Sequence, residues 1–318
     1  MITLRELAQK LNGEKSVAIF CHVRPDGDAI GSACALKNAL ETIGINAKVF
    51  CDDDIPQRFS YIVSEDDLSR EDLSCEYDAF VAVDCAEISR LGKYALDFSS
   101  HKNTFNIDHH ISNPRYAKVN YVCDTPANVV NVYNLITELK ADISEKTANL
   151  LAMGLMTDTG NFTHQNVDAN AFVLAGELVK LGANQNTIYY HNFKKQTKNR
   201  AKLFGMVMSK LRYFHSDRLV VAPIMQKDLQ ESGAHQSETE GFVDFLMGID
   251  TVEVGACVME IGKDKYKISL RSKGANVNAV ASDFGGGGHI LASGCQVSAE
   301  YEEVIDRLAF SVSKQLND

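Results

Sequence analysis

No C-x-x-C pair occurs among the eight cysteines, Cys21, Cys34, Cys51, Cys75, Cys85, Cys123, Cys257 and Cys295. That argues against a zinc ribbon or a disulfide framework, so the thiols, most of them in apolar segments, are expected to be buried and reduced. No apolar run approaches the ~20 residues of a membrane span. The first residues, Met1 to Glu6, lack the charged-then-apolar order of a secretion signal. A cytoplasmic protein with no membrane partner is expected. Positive charge is in short supply: 32 Lys and Arg against 42 Asp and Glu give a net charge of -10. A surface for long nucleic acid needs many cations against the phosphates, so a short nucleotide, met by a metal and a few local cations, is the form that stays possible. Neither a G-x-x-x-x-G-K-[ST] loop nor a G-x-G-x-x-G fingerprint is present. The single Asp158-Thr-Gly triplet argues against an aspartic protease, which needs two.

What the chain does have is a ligand-rich stretch, Cys21-His-Val-Arg-Pro-Asp-Gly-Asp28, directly after the apolar run Val17 to Phe20. His22, Asp26 and Asp28 are delivered together where a buried strand ends, with Pro25 and Gly27 bending the backbone between them. Imidazole beside hard oxygen ligands suits Mn²⁺, Zn²⁺ or Fe²⁺ better than Ca²⁺. The competing reading is that these acids merely cap a helix predicted from Ala29 to Ile43. A further apolar strand ends in the same way, Tyr77 to Val83 running into Asp84, and Lys102 to Ile107 repeats the arrangement, ending in Asp108-His109-His110. Asp84 could instead cap the turn before Ile88, and one histidine of the pair could be a hydrogen-bonded core residue.

Nearly all-apolar strands alternating with helical segments predict a parallel sheet covered on both faces. Open α/β sheets take their ligands at the carboxyl ends of the strands. His22, Asp26, Asp28, Asp84, Asp108, His109 and His110 are therefore expected to share one crevice. Asp158, which ends an apolar helix from Glu145 to Met156, is the candidate for the remaining ligand. Asp52-Asp53-Asp54, after the strand Ala47 to Cys51, is expected to be a solvated loop and not a second metal site.

Length predicts about two domains. Ile188 to Met208 predicts a long helical connection whose Lys194, Lys195, Lys198, Arg200 and Lys202 form a solvated face. After it come a strand, Arg218 to Ile224, a helix, Ser237 to Met247, and a hairpin of Val252 to Ile261 with Tyr266 to Arg271. The predicted architecture is α/β: a parallel-sheet N-terminal domain over 1–190, a helical linker over 191–210, and a smaller α/β C-terminal domain over 211–318. The second domain carries Asp283-Phe-Gly-Gly-Gly-Gly288-His289. Four successive glycines leave backbone N–H groups bare, as anion-binding nests require. Arg271, with Lys273 nearby, offers a fixed cation and His289 a donor. Arg271, Gly286, Gly287, Gly288 and His289 are the expected phosphate or nucleotide grip.

These motifs resemble those of the DHH phosphoesterase superfamily. His22-Val-Arg-Pro-Asp26-Gly-Asp28-Ala-Ile-Gly-Ser is similar to its first motif, Val83-Asp84 to its second, Asp108-His109-His110 to its third and Asp158-Thr-Gly to its fourth. Residues 285–294, ending His289-Ile-Leu-Ala-Ser-Gly, resemble the signature of the DHH-associated C-terminal domain. The bare two-domain layout is similar to the NrnA-like branch, nano-RNases that also dephosphorylate 3'-phosphoadenosine-5'-phosphate (pAp).

The resemblance implies two divalent ions, Mn²⁺ before others. It places His22, Asp26 and Asp84 on one, and Asp28, Asp84, His109 and Asp158 on the second, with Asp84 bridging. It implies His110 as donor or general acid at the scissile phosphate and Asp108 as the group that orients a ligand histidine. Arg271 and the glycine loop with His289 would hold the substrate's far end across an interdomain cleft, which favours short substrates. The expected activity is hydrolysis of very short oligoribonucleotides to nucleoside 5'-monophosphates and of pAp to AMP. Cyclic-di-AMP, its linear product pApA, and polyphosphate are the alternative substrates. Polyphosphate has no bases to recognise. A nucleotide sensor without turnover would be expected to have lost a carboxylate. A homodimer fits this reading.

Overall fold

In the computed structural model, which describes residues 2–69, 73 and 76–316, the chain divides into two compact units, Met1–Lys195 and Gln196–Asp318. The sheet of the first unit runs β2 (Asn46–Phe50), β1 (Ser16–Phe20), β3 (Ala79–Val83), β4 (Thr104–Asp108), β5 (Val119–Val122), all parallel. β3 and β4 bury every residue, as strands covered on both faces must. One face, with Val17, Ile19, Val49, Val81 and Ile107, packs under α1 (Leu4–Leu11), α2 (Gly27–Thr42) and α4 (Asn128–Leu139), with α5 (Glu145–Asp158) against α2 and α4, and α6 (Ala169–Lys180) and α7 (Gln185–Tyr189) against α5. The other carries an aromatic cluster: Phe20 lies 5.1 to 5.9 Å from the rings of Phe50, Phe80, Tyr94 and Phe98. Tyr94 and Phe98 arrive on the 3₁₀ segment Ile88–Tyr94 and on α3 (Ala95–Ser100).

The strand order reverses direction between β1 and β3, and at such a switch point the two following connections leave towards opposite faces. A crevice therefore opens at the carboxyl ends of these two strands, where His22 and Asp84 follow.

In the second unit the sheet order is β10 (Gly287–His289), β11 (Ala292–Ser298), β9 (Lys265–Ser272), β8 (Val254–Gly262), β7 (Leu219–Ile224), β6 (Arg212–Phe214). β7 and β8 run parallel and the other neighbours antiparallel. One face packs on α11 (Val277–Ser282) and α12 (Tyr301–Ser313), the other on α8 (Lys198–Met208), α9 (Gln226–Ser232) and α10 (Phe242–Leu246).

The structure departs from the sequence-based expectation in several places. The single helix expected from 188 to 208 is broken: α7 runs into a π-helical turn, Tyr190–Lys194, Lys195 is extended (ψ 125), and Thr197 restarts the helix by accepting from Arg200 N–H. A Thr at the N-cap takes up an otherwise unpaired N–H, which favours a fresh start over continuity. The basic run is not simply solvated, because the Arg200 guanidinium donates to the Glu238 and Glu240 carbonyls and Lys202 Nζ to Glu231 O. The helix expected from 237 to 247 is split by Gly241, whose φ is 80. β5 was not apparent in the sequence; it is a half-buried edge strand without an apolar run. Among the described residues seven cysteines are free, six of them buried, and no helix is long and apolar enough to cross a membrane.

α2 and α5 approach backbone to backbone at Gly31, where a Cβ would meet Leu150 O at 2.6 Å and Gly154 N at 3.3 Å. Replacing Gly by Ala inside a helix gains about 1 kcal/mol of propensity, but forcing apart a packed core costs about 1–3 kcal/mol, and a backbone carbonyl cannot swing aside. Gly31→Ala should therefore destabilise the protein by up to about 2 kcal/mol in urea unfolding, whereas the propensity gain alone would stabilise it.

Candidate metal centre

The loop after β1 is held by groups outside it. Val23 N–H donates to Arg90 O at 2.7 Å, and Arg24, at φ 54, donates to Asp53 Oδ2 at 2.6 Å. Asp52 Oδ2 accepts from Lys93 N–H at 3.0 Å. The acidic run expected to be a solvated loop thus braces the ligand loop and the segment after β3. Asp26 answers both sequence readings at once. Its Oδ1 caps α2 by accepting from Asp28 and Ala29 N–H at 3.1 and 3.0 Å, while its Oδ2 stands 3.7 Å from His22 Nε2.

Asp84 follows β3 at φ 51, a left-handed backbone that is uncommon for a residue with a Cβ and is a recurring mark of functional sites. Its two oxygens face different partners. Oδ2 lies 3.7 Å from His22 Nε2, and Oδ1 lies 3.3 Å from His109 Nε2. His109 Nε2 is in turn 3.9 Å from Asp158 Oδ2 and 4.0 Å from Asp28 Oδ2. These gaps exceed an ordinary hydrogen bond, and Asp84 Oδ1 is buried with no hydrogen-bond partner among the described residues. Two ligands each ~2.1 Å from a common ion stand ~3 Å apart at right angles and ~4.2 Å apart when opposite, so the spacing suits a cation between them. His22, Asp26 and Asp84 form one such group, Asp28, His109 and Asp158 a second, and Asp84, His109 and His110 a third.

Asp28 has a further duty that the sequence did not disclose. Its Oδ2 accepts from Asn128 N–H at 2.5 Å and its Oδ1 from Val129 N–H at 2.9 Å, so it caps α4. The N-cap residue of α4, Ala127, has no side chain able to do this. Of the two histidines that follow it, the one Asp108 orients is His110, a member of the third group. Asp108 Oδ1 pairs with His110 Nδ1 at 2.8 Å, while Asn113 Nδ2 donates to its Oδ2 at 2.5 Å. His109 is held instead through Nδ1, 3.0 Å from Thr125 O.

Burial would lower the pKa of His22, but the carboxylates of Asp26 and Asp84 outweigh it and raise it to about 10. The same contest, with Asp84 and Asp28 prevailing, raises His109 to about 10. Burial, and then the neighbouring carboxylates Asp84 and Asp26 against His109, lift Asp158 to about 6. Asp28 is driven well above the usual range by burial and by Asp84 and Asp158. The pocket thus holds more negative charge than its own cations neutralise, which is the field a divalent ion answers.

In the second unit, the expected grip is partly formed and partly corrected. Arg271 pairs with Ala292, and Ala292 with His289. Paired residues share a sheet face, so Arg271 and His289 flank one small side chain on the same face. Arg271 Nε donates to Asp244 Oδ1 at 2.9 Å. Two of the four glycine N–H groups are already taken: Gly285 and Gly286 N–H donate to Ser282 O and Ala281 O at 3.0 and 2.9 Å. Gly286 and Gly288 are glycine because a Cβ would strike the Gly294 and Ala292 carbonyls of the neighbouring strand.

The domain described as the DHH family, N-terminal domain, matches residues 16–155, and the DHHA1 domain matches residues 216–318. The chain belongs to the DHH phosphoesterase family. Among curated proteins it is 28% identical to the probable bifunctional oligoribonuclease and PAP phosphatase NrnA of Streptococcus mutans, over 97% of this chain and 98% of that one. It is 28% identical to the corresponding NrnA of Thermus thermophilus, over 98% and 94%, and 27% identical to that of Bacillus subtilis, over 92% of each. A solved exopolyphosphatase-related protein from Bacteroides fragilis shares the fold, with a TM-score of 0.82 at 24% identity over 98% of this chain and 96% of that one.

As a DHH phosphoesterase the chain is a hydrolase, and the residues of its first four motifs meet in one crevice as the strand-end argument required. Sequence reasoning missed Arg90, whose Nη2 lies 3.0 Å from His22 Nδ1, and the bracing pair Asp52 and Asp53. Arg90 lies six residues past Asp84 with no pattern to mark it.

In metal-free protein both imidazoles hold protons more tightly folded than unfolded, so the stability they lend is full below pH about 6.5 and is lost as pH climbs towards about 10. Asp158 acts with the same sign between its ordinary 3.8 and about 6. Chelator-treated protein should therefore melt at progressively lower temperature across this window, and saturating divalent cation should flatten the decline. A flat profile without metal would contradict the charged-histidine picture.

Proposed function

We propose that the chain is a divalent-metal-dependent phosphohydrolase that degrades very short oligoribonucleotides to nucleoside 5'-monophosphates and converts pAp to AMP. The observation that carries this reading is the Asp84 carboxylate, with one oxygen towards His22 and the other towards His109. The relatives named oligoribonuclease and PAP phosphatase, aligned over more than nine-tenths of this chain, support the substrate class. A net charge of -10 favours a substrate with few phosphates.

His22, Asp26 and Asp84 would hold one ion, and Asp28, Asp84, His109 and Asp158 another. The mixed imidazole and carboxylate set fits Mn²⁺ well. Such a pair supplies, when bound, a nucleophile at neutral pH and charge neutralisation at phosphorus. The rest falls to the chain itself. His110 is fixed through Nδ1 on the buried Asp108, and that carboxylate raises its pKa, which favours the protonated ring. Its side chain is 34% exposed, within reach of substrate, and its Nε2 would donate to a phosphoryl oxygen or the leaving ribose oxygen. Arg271 and His289 would hold the far end of the substrate.

Timed product analysis with Mn²⁺ on pAp, di- to pentaribonucleotides, pApA, cyclic-di-AMP and polyphosphate tests this proposal. Nucleoside 5'-monophosphates from the short RNAs and AMP from pAp are expected, with Asp84→Ala inert on all of them. Faster turnover of cyclic-di-AMP or polyphosphate would reassign the substrate. Nucleotide binding without turnover would make the chain a sensor.

A further inference from the structure

Beside the metal centre, within the first unit, lies a cavity of about 160 Å³ whose walls include Asp26, Thr157, Asp158, Arg58, Asn192 and Phe193. It shares two walls with the proposed ligand set, so anything seated in it lies next to the scissile phosphate. Its volume is below the ~300–1,000 Å³ of pockets that hold drug-sized ligands, which leaves room for one flat ring system.

Three of its residues have no part in the mechanism described so far. Phe193 is a large apolar side chain left 39% exposed, with Tyr189 stacked beside it at 5.8 Å and 21°. It stands on the π-helical turn Tyr190–Lys194, a conformation that is rare and concentrated at functional sites. Asn192, one residue earlier, donates from Nδ2 to Tyr61 Oη and Ile188 O, both at 2.9 Å. These two bonds set the amide's orientation and leave Oδ1 buried with no donor among the described residues. A buried acceptor without a donor is costly, and a ligand N–H would relieve it. The turn is anchored as well: His191 stacks on Tyr61 at 4.2 Å and 13°. Arg58, an exposed residue whose guanidinium lies 4.8 Å from the Phe59 ring centre, contributes a cation to the same wall as the two carboxylates.

We propose that this cavity is a nucleoside pocket that takes the base adjacent to the scissile phosphate. Phe193 stacks on the base, Asn192 Oδ1 accepts from a ring or exocyclic N–H, and Arg58 pairs with the phosphate oxygens. Stacking tolerates every base, because each has a π-face, and the fork geometry of arginine matches phosphate. The inference rests on the nucleotide reading above and adds to it the residues that would tell a nucleotide from a bare phosphate chain.

The test compares a diribonucleotide with the same molecule lacking the base next to the cleaved bond, both with Mn²⁺, on wild type, Phe193→Ala and Phe193→Tyr. Removing a stacking ring lowers affinity by roughly 5- to 100-fold. Phe193→Ala should raise KM for the intact dinucleotide by about that factor, leave the abasic substrate unchanged and be rescued by Phe193→Tyr. Independently of turnover, ligand-observed NMR should show AMP base protons saturated by wild type and released in Phe193→Ala. Equal effects on both substrates, or unaltered KM and NMR contacts, would overturn the pocket while leaving the phosphohydrolase intact. A wild type inert towards every nucleotide would instead overturn the reading on which the pocket rests.

Discussion

A single buried carboxylate, that of Asp84, is the constraint on which the rest turns. Four carboxylates, Asp26, Asp28, Asp84 and Asp158, meet two imidazoles, His22 and His109. With all of them ionised, four negative charges against two positive ones leave a deficit of two, and two of the carboxylates, Asp28 and Asp84, are buried. Burying unpaired charge costs far more than any single hydrogen bond returns. The raised pKa values of His22, His109 and Asp158 are the protein's own response, holding protons where cations are wanted. Protons are a poor substitute, because the facing atoms stand 3.3 to 4.0 Å apart, too far to share one and near enough to share an ion.

The remainder of the first unit keeps these charges together. The ends of β1 and β3 meet at the switch point of the sheet, which places His22 and Asp84 side by side. Asp158 arrives on α5, and Asp28 on α2, only because Gly31 lets those helices touch backbone to backbone. The loops are then fastened by acids: Asp53 holds Arg24, and Asp52 holds Lys93.

Much of this was legible in the sequence, and the reasons differ by element. The parallel sheet could be read because strands buried on both faces are mostly apolar, a polar exception such as Asn106 needing partners like Ala82 O and Tyr116 Oη, so an acid or imidazole after an apolar run marks where the sheet opens. That rule found His22, Asp84, Asp108 and His109. The structure-specific duties of the same residues were not legible. That Asp28 caps α4 depends on a contact across a hundred residues of chain. That Asp108 serves His110 depends on a choice between adjacent histidines that spacing cannot make. The glycine run could not be resolved from sequence for a physical reason: a nest that leaves N–H groups bare and a strand packed on its neighbour's backbone ask for the same residue. Arg58, Asn192 and Phe193 carry no joint pattern, since their proximity exists only after the π-helical turn folds against Tyr61.

The two helix caps close the electrostatic argument. Asp26 and Asp28 each offer oxygens to the first N–H groups of a helix, α2 and α4, where the backbone dipole is positive. Fixed partial charges of this kind stabilise a carboxylate without neutralising it. A lysine or arginine salt bridge at the same positions would have satisfied the acids and removed the attraction for a metal. By using backbone donors instead, the fold keeps its excess negative charge tolerable when empty and available for ions. The cations it does place nearby, Arg90 at His22 and Arg58 in the wall of the adjoining cavity, are not members of the ligand set.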